Sequence, residues 1–215
     1  MEKIGIVTPT RGDRPEFLKQ CIKYMGQQTR KPDYMCIVDY APKSKNKDLV
    51  ERCKVGIEDC LKNDCDIIFF IEDDDYYSPI YIQSMYQRWE EVGKPELFGI
   101  NQSIYYHLKT KRYWEKTHSN HSSLMSTLIT KELAAKIDYS KVKDIWFDVY
   151  LWSNFKGVST QFKYYICAGI KHGIGLSGGI GHNPNAGIYN RNDHNGELLR
   201  NIVGINNYRF YNDLL

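Results

Sequence analysis

The chain has 215 residues, 42% of them hydrophobic and 26% charged, an ordinary composition for a soluble globular protein of one domain, or one domain with a C-terminal elaboration. No apolar run approaches the roughly 20 residues that span a bilayer, which excludes a membrane-spanning helix. The net charge of +3 hides an asymmetry: residues 1–100 carry 15 Lys+Arg against 18 Asp+Glu, and residues 101–215 carry 14 against 8.

Met1-Glu2-Lys3 leads straight into an apolar run over 4–8, a buried-strand signal closed by Pro9. No signal-peptide pattern is present there, so the expected location is the cytoplasm. Residues 10–15 read as a loop. Pro15 then opens a helix whose stripe is Phe17, Leu18, Cys21, Ile22 and Met25, at the i, i+3, i+4 spacing of an amphipathic helix. A second strand spans 34–38 and ends at Asp39. Residues 47–61 form a helical pattern through Leu49, Val50, Cys53, Ile57 and Leu61. A third, fully apolar strand over 67–71 runs directly into Glu72-Asp73-Asp74-Asp75, and a helix follows over 79–92. This β-α-β-α-β-α order predicts an α/β fold with a mostly parallel sheet flanked by helices. Beyond residue 96 the pattern changes. Strands are predicted over 97–106, 112–114, 124–129 and 162–170, helices over 131–137, 146–155 and 197–207, and a glycine-rich loop over 173–196. The six cysteines, at 21, 36, 53, 60, 65 and 167, include no C-x-x-C pair and read as reduced, mostly buried thiols.

In open α/β sheets ligands bind beyond the carboxyl ends of the strands. Three predicted strands end in polar residues: Thr8, Thr10 and Arg11; then Asp39; then Glu72–Asp75. Four successive carboxylates repel one another unless a cation offsets them. Hard oxygen ligands suit Mg2+ or Mn2+, which commonly also bind substrate phosphates, so the run reads as a metal-diphosphate site or, more simply, as a solvated acidic loop.

Ile6-Val7-Thr8-Pro9-Thr10-Arg11, Gln28-Thr29 and Cys36-Ile37-Val38-Asp39 resemble the opening of family 2 glycosyltransferases of GT-A fold. Phe70-Ile71-Glu72-Asp73-Asp74-Asp75-Tyr76-Tyr77-Ser78-Pro79 resembles their Asp-x-Asp segment with its trailing proline. The match covers roughly 3–92 and resumes near 146–172. It implies a single GT-A domain over 1–215, with a nucleotide-sugar half over 1–95 and an acceptor half over 96–215. It implies that Thr8, Pro9, Thr10 and Arg11 line a nucleotide pocket, that Asp39 contacts the base, usually uracil, and that Glu72 and Asp73 approach the ribose. Counting back from Pro79, Asp74 is the metal ligand by this resemblance, with Asp75 the rival one register away.

Trp146-Phe147-Asp148-Val149-Tyr150 resembles the family's acidic motif at a helix start, with Phe147 in place of its first acid. Asp148 is then the expected general base of an inverting transfer, a role that needs a carboxylate opposite the leaving diphosphate. A carboxylate is also favoured at a helix N-terminus for purely structural reasons. His172 ends a predicted strand and is the expected third metal or diphosphate contact, with His182 as rival, and Lys171 can meet phosphate. The glycine-rich stretch lacks the Gly-Lys-Ser/Thr ending of a P-loop and reads as a lid over the donor, or as a plain flexible loop.

The acceptor is expected from charge and resemblance only. His107–Trp114 and Lys163-Tyr164-Tyr165 mix base with aromatic, which suits phosphates and stacked bases or sugars. A short member with a basic second half resembles phage enzymes that glycosylate hydroxymethylated pyrimidines in DNA. A cell-surface saccharide or lipid-linked acceptor is the other expectation. Two further readings stay open. A nucleotidyltransferase would want a glycine-rich loop after the first strand, where this chain has the single Gly12. A non-catalytic nucleic-acid or glycan-binding protein would keep the fold without binding the donor.

Overall fold

The structure, a computed structural model, describes residues 1–40, 47–143, 146–173, 183, 185 and 187–214. The first half alternates as predicted: β1 (Ile4–Pro9), α1 (Pro15–Gly26), β2 (Tyr34–Val38), α2 (Asp48–Lys62), β3 (Ile67–Phe70), a two-residue β4 (Tyr76–Tyr77) and α3 (Tyr81–Glu91). The second half contains β5 (Leu97–Ile100), β6 (Gln102–His107), β7 (Arg112–Thr117), β8 (Thr127–Thr130), α4 (Lys131–Ala134), α5 (Phe147–Asn154), β9 (Val158–Thr160), β10 (Cys167–Lys171), β11 (Arg191–Asn192), α6 (Glu197–Val203) and α7 (Ile205–Asp213).

Two sheets result. The larger has the order β2-β1-β3-β8-β5-β9, and the smaller β11-β7-β6-β10-β4. In the larger sheet β1 pairs parallel with both β2 and β3, and β9 pairs parallel with β5. β8 lies antiparallel between β3 and β5. Successive side chains of a strand point to opposite faces, and both faces here are covered. Ile4 and Ile6 of β1 and Ile67 and Phe69 of β3 enter one core with Tyr24, Tyr81 and Ile170. Val7, Ile68 and Phe70 enter the other with Val50, Cys53, Ile57 and Phe147. The two strands are continuously apolar because neither face meets water.

Helix α1 begins at Pro15, whose missing N–H costs nothing in a first turn, and places Glu16 at its start and Lys23 at its end. Helix α2 lies against β1 at Gly56, where a Cβ would stand 2.4 Å from Val7 Cγ1. All six cysteines are free, and five are buried. Among the described residues no helix is long and apolar enough to cross a membrane.

Four elements depart from the sequence pattern. The strand expected over 97–106 divides into β5 and β6, which belong to different sheets. The change is made at Asn101, whose N–H donates to Thr160 O and whose carbonyl accepts from His118 N–H. The strand expected over 124–129 opens as a 3-10 turn over Leu124–Ser126. Ser123 O there accepts from Ser126 N, Ser126 Oγ and Thr127 Oγ1, local bonds that compete with a ladder. The expected strand over 162–170 is the shorter β10, preceded by a separate β9. The last helix is two, α6 and α7, broken at Gly204 with φ of 77°.

β10 is the hinge of the site. It runs parallel to β6 and antiparallel to β4, with Ala168 opposite Tyr76 and Cys167 opposite Tyr77. Because β4 follows the acidic run at once, this pairing carries Lys171 and His172 up to the carboxylates.

Candidate functional site

The acidic run leaves β3 and makes a turn rather than a strand. Asp75 N–H donates to Glu72 O at 3.4 Å, and Glu72 N–H donates to the Tyr77 hydroxyl at 2.8 Å. The turn buries three carboxylates: Asp73 is 2% exposed, Asp74 6% and Asp75 1%. Each then has its own partners. Asp73 accepts from Thr10 Oγ1 at 2.6 Å and from Arg14 Nη2 at 2.5 Å. Asp74 accepts from Arg14 Nη1 and lies 2.9 Å from His172 Nε2. Asp75 Oδ1 accepts the backbone N–H of Ile170 at 2.8 Å and stands 3.7 Å from Lys171 Nζ. Asp75 Oδ2 is buried and meets no cationic or backbone donor among the described residues, and the neighbouring Glu72 carboxyl can share a proton with Asp75.

Burial shapes the charges first. It raises Asp75 well above the usual carboxylate range, with Glu72 and Asp74 adding to the effect and Lys171 opposing it. It raises Glu72 likewise, against the pull of Lys171. Asp73 is lifted to about 6 by burial and by Asp74, against Arg14 and the Thr10 bond. Asp74 is the exception. Burial pushes it up, but the His172 bond, Arg14 and Lys171 together hold it below its ordinary value. Burial alone would depress Lys171, yet Asp75, Asp74 and Glu72 hold it firmly protonated.

Glu72, Asp74 and Asp75 each present an oxygen within 4.8 Å of the others. Four carboxylates crowd two permanent cations, Arg14 and Lys171, and the raised Glu72 and Asp75 relieve the crowding by favouring their protonated forms. A hard divalent cation fits this set of clustered oxygen donors and would displace those protons. His172 meets Asp74 and its ring packs 4.3 Å from that of Phe17, the arrangement of a side chain that orients a ligating carboxylate. The rival His182 and residues 174–181 of the glycine-rich stretch lie outside the described residues.

The ends of β1 and β2 form the neighbouring wall. Thr8, Pro9 and Thr10 are buried, and Thr10 N–H donates to Val38 O at 3.0 Å. Arg11 Nε is 3.3 Å from Asp48 Oδ2. Arg52 Nε donates to Asp48 Oδ1 at 3.0 Å, and Arg52 Nη1 donates to Val38 O at 3.0 Å. The guanidinium is 4.8 Å from the centre of the Tyr40 ring. Asp39 is exposed at the mouth of this wall. Arg14, Asp48 and Arg52 were not singled out in the sequence. Asp48 and Arg52 carried a signal, an acid and a base four residues apart on a helix; Arg14, in a loop, carried none.

Asp148 sits in the first turn of α5, half-buried, with Oδ2 3.3 Å from His121 Nε2. Tyr105, stacked on Trp114 at 4.2 Å, lies within reach of the charges of both Asp148 and the acidic run. Its hydroxyl is raised to about 12 by burial, eased by the Ser123 bond and Lys171 and reinforced by Asp148 and Glu72. Tyr105 therefore feels both halves of the site. The structure thus brings Thr10, Glu72, Asp73, Asp74, Asp75, Lys171 and His172 into one cluster, with Arg11 and Asp39 on its flank and Asp148 near enough for its charge to act on Glu72.

No protein-family model matches the chain, and no curated protein sequence matches it. Among solved structures, S. aureus TarS in complex with UDP-GlcNAc superposes with a TM-score of 0.52 over 80% of this chain and 59% of that chain, at 10% identity. The chain has a GT-A-like glycosyltransferase fold. The fold expected from the resemblance of residues 3–92 is the fold observed. A protein from STIV superposes with a TM-score of 0.46, 18% identity and coverage of 74% and 82%. A glycosyltransferase involved in glycosylation of the major capsid of PBCV-1 superposes with a TM-score of 0.43, 11% identity and coverage of 74% and 81%. In this GT-A-like fold the acidic turn lies at the carboxyl edge of the parallel strands, where open α/β sheets hold their ligands.

Proposed function

We propose that the chain is a metal-dependent, inverting glycosyltransferase that takes a sugar from a nucleotide sugar, a UDP-hexose, and passes it to an acceptor hydroxyl. The observation that carries this reading is the acidic turn, Glu72–Asp75, closed by Lys171 and His172, with the charge of Asp148 close enough to act on Glu72. Thr8, Pro9, Thr10, Arg11 and Asp39 hold the nucleoside, and Asp73 fixes Thr10 and Arg14 beside it. Asp74 and Asp75, with Glu72, hold Mn2+ or Mg2+, and His172 orients Asp74. The cation, when bound, offsets the charge that grows on the departing diphosphate. Lys171 adds a fixed positive charge in the same place. Asp148 takes the acceptor proton as the acceptor oxygen attacks the anomeric carbon from the opposite side. The donor bound by the superposed S. aureus protein, UDP-GlcNAc, is the natural first probe.

For the acceptor we carry a hydroxymethylated pyrimidine in duplex DNA, supported by the positive second half and by the exposed Lys109 and Lys116 on the β6–β7 hairpin. Such a base must be flipped to reach the site. A saccharide acceptor is favoured by a different observation. Arg112 of that hairpin donates to Tyr189 O, and Arg191 of the adjoining β11 pairs with Glu115, which engages two basic groups of this face away from a phosphate backbone. A screen of UDP-sugars against hydroxymethylated DNA and simple glycans, read by mass, decides between them. Product on DNA with salt-sensitive affinity supports the first acceptor, and product on saccharides alone removes it. Release of pyrophosphate instead of UDP, or full turnover after Asp74→Ala and Asp75→Ala, overturns the donor reading itself.

A further inference from the structure

His121 lies in the segment between β7 and β8, and that segment is pinned. His118 N–H donates to Asn101 O at 2.8 Å. Ser122 is fully buried against Gly99, where a Cβ would come within 2.3 Å of Ser122 Oγ. Ser123 Oγ is 3.0 Å from Ser103 Oγ and also meets the Tyr105 hydroxyl. The His121 ring is set between His118, at 4.8 Å, and Trp152, at 6.2 Å. Its Nε2 is thereby brought 3.3 Å from Asp148 Oδ2, with both side chains about one-fifth exposed, at 23% and 21%. Among the described residues the Asp148 carboxylate has no other ion pair and no side-chain hydrogen bond.

We infer that His121 is a positioning residue for Asp148: it engages Oδ2, so that Oδ1 is left facing the acceptor hydroxyl. This rests on the reading of Asp148 as the base. In the transfer the acceptor O–H bond breaks and its proton goes to Asp148. The acceptor oxygen bonds the anomeric carbon, and the bond from that carbon to the diphosphate breaks, its electron pair leaving with the diphosphate. The imidazole orients the carboxylate through this contact of Nε2 with Oδ2. Other groups facing the pair are His118 and Lys116 from the β7 side, and Glu72, Cys53 and Tyr105 from the donor side. His118, kept neutral by its burial and by Lys116, adds no competing positive charge at neutral pH.

The test uses the full chain with Mn2+ and UDP-GlcNAc, or whichever UDP-sugar the screen finds active. It reads UDP release across pH and UDP binding by calorimetry. His121→Ala lowers kcat by about 10- to 100-fold, the loss expected from a misplaced catalytic group, and leaves the Kd for UDP unchanged. His121→Gln, whose amide nitrogen can take the place of Nε2, recovers most of kcat. Asp148→Asn is inactive in every background. If His121→Ala keeps the wild-type rate while Asp148→Asn is dead, this inference falls alone. If Asp148→Asn remains active, the base is misassigned and His121 falls with it. If the wild-type chain neither binds UDP nor releases it from any donor, the glycosyltransferase reading fails first.

Discussion

Asp48 is the junction of the wall beside the acidic turn, and its two arginines permit a quantitative test. Arg52 is 1% exposed and bonds both Asp48 and Val38 O, while Arg11 reaches the other oxygen of Asp48. Replacing Arg52 by Met removes two hydrogen bonds from a charged donor, each worth roughly 1.5–3 kcal/mol net. Neither acceptor is orphaned, because Asp48 keeps Arg11 and Val38 O keeps Thr10 N–H. The change also removes the buried Nη2, which has no partner and costs about 1–3 kcal/mol to desolvate. The expected loss is therefore only about 2 kcal/mol. Arg11→Met, which breaks a longer pair, costs about 1 kcal/mol. The double variant leaves a buried carboxylate, Asp48 at 8% exposure, with neither arginine, a situation that costs about 3–5 kcal/mol. Against singles of about 2 and 1 kcal/mol, the double loss should thus exceed additivity by about 1 kcal/mol, measured by urea unfolding of the four proteins. The coupling should vanish when Asp48 is changed to Asn. Additive losses within about 0.5 kcal/mol would show that Asp48 is not held jointly, and the wall argument would be wrong.

Mn2+ with UDP, each well above its dissociation constant, should raise the melting temperature. A ligand at 100 times its Kd adds about 2.7 kcal/mol, or about 5–10 °C for a chain of this size; no shift would refute a nucleotide-metal site. Gly169→Ala should cost about 1–3 kcal/mol and alter tryptophan fluorescence, because the new Cβ would lie 2.4 Å from Tyr105 Cδ1 and push that ring from Trp114. His118 should make stability fall in acid. Its folded pKa is depressed from 6.5 to about 4, chiefly by burial, so below about pH 6.5 the unfolded chain takes the proton first. The stability it contributes is present above that pH and is lost as pH falls toward about 4. Denaturation of His118→Gln should show a shallower slope over that window, and an unchanged slope would contradict the assignment.

The parts of the fold that were legible are those in which local pattern and burial coincide. β1 and β3 are covered on both faces, so their continuous apolar runs identified them, and the polar residues at their ends marked the crevice. Period-two alternation tells that a segment is a strand but not which sheet it joins, and for that reason the change of sheet at Asn101 was invisible. The two-residue β4 is too short to have a period. It exists because β10, some ninety residues later, supplies its partner. The same distance effect hid the site's cross-chain pairs. Lys171 and His172 could be placed by resemblance, but their joining of Asp75 and Asp74 depends on the β10–β4 register. Arg14 with Asp73 and Asp74, and His121 with Asp148, are contacts between loops and elements far apart in sequence. Only Asp48 with Arg52 had a local spacing from which it could be read.

The register of the acidic run is where structure and resemblance part, and this yields a sharper test. Counting from Pro79 assigns Glu72 and Asp73 to the nucleoside and Asp74 or Asp75 to the metal. In a turn the side chains do not alternate as they do in a strand, and here Glu72 swings to the side of Asp74 and Asp75. Asp73 is held by Thr10 and Arg14, so both its oxygens are already engaged. Asp75 keeps one buried oxygen without a cationic or backbone donor among the described residues, and Glu72 lies close enough to share whatever fills that place. A cation should therefore be held by Glu72, Asp74 and Asp75, with Asp73 contributing mainly through Arg14. Calorimetric titration of the full chain with Mn2+ measures this directly. Asp75→Ala and Glu72→Ala should each weaken binding at least about tenfold, a loss of roughly 1.4 kcal/mol. Asp73→Ala should change it by less than about threefold, because it removes a carboxylate that already has its cation. The opposite order would put the metal on Asp73, against both the geometry of the turn and the register counted from Pro79, and would refute this set of ligands.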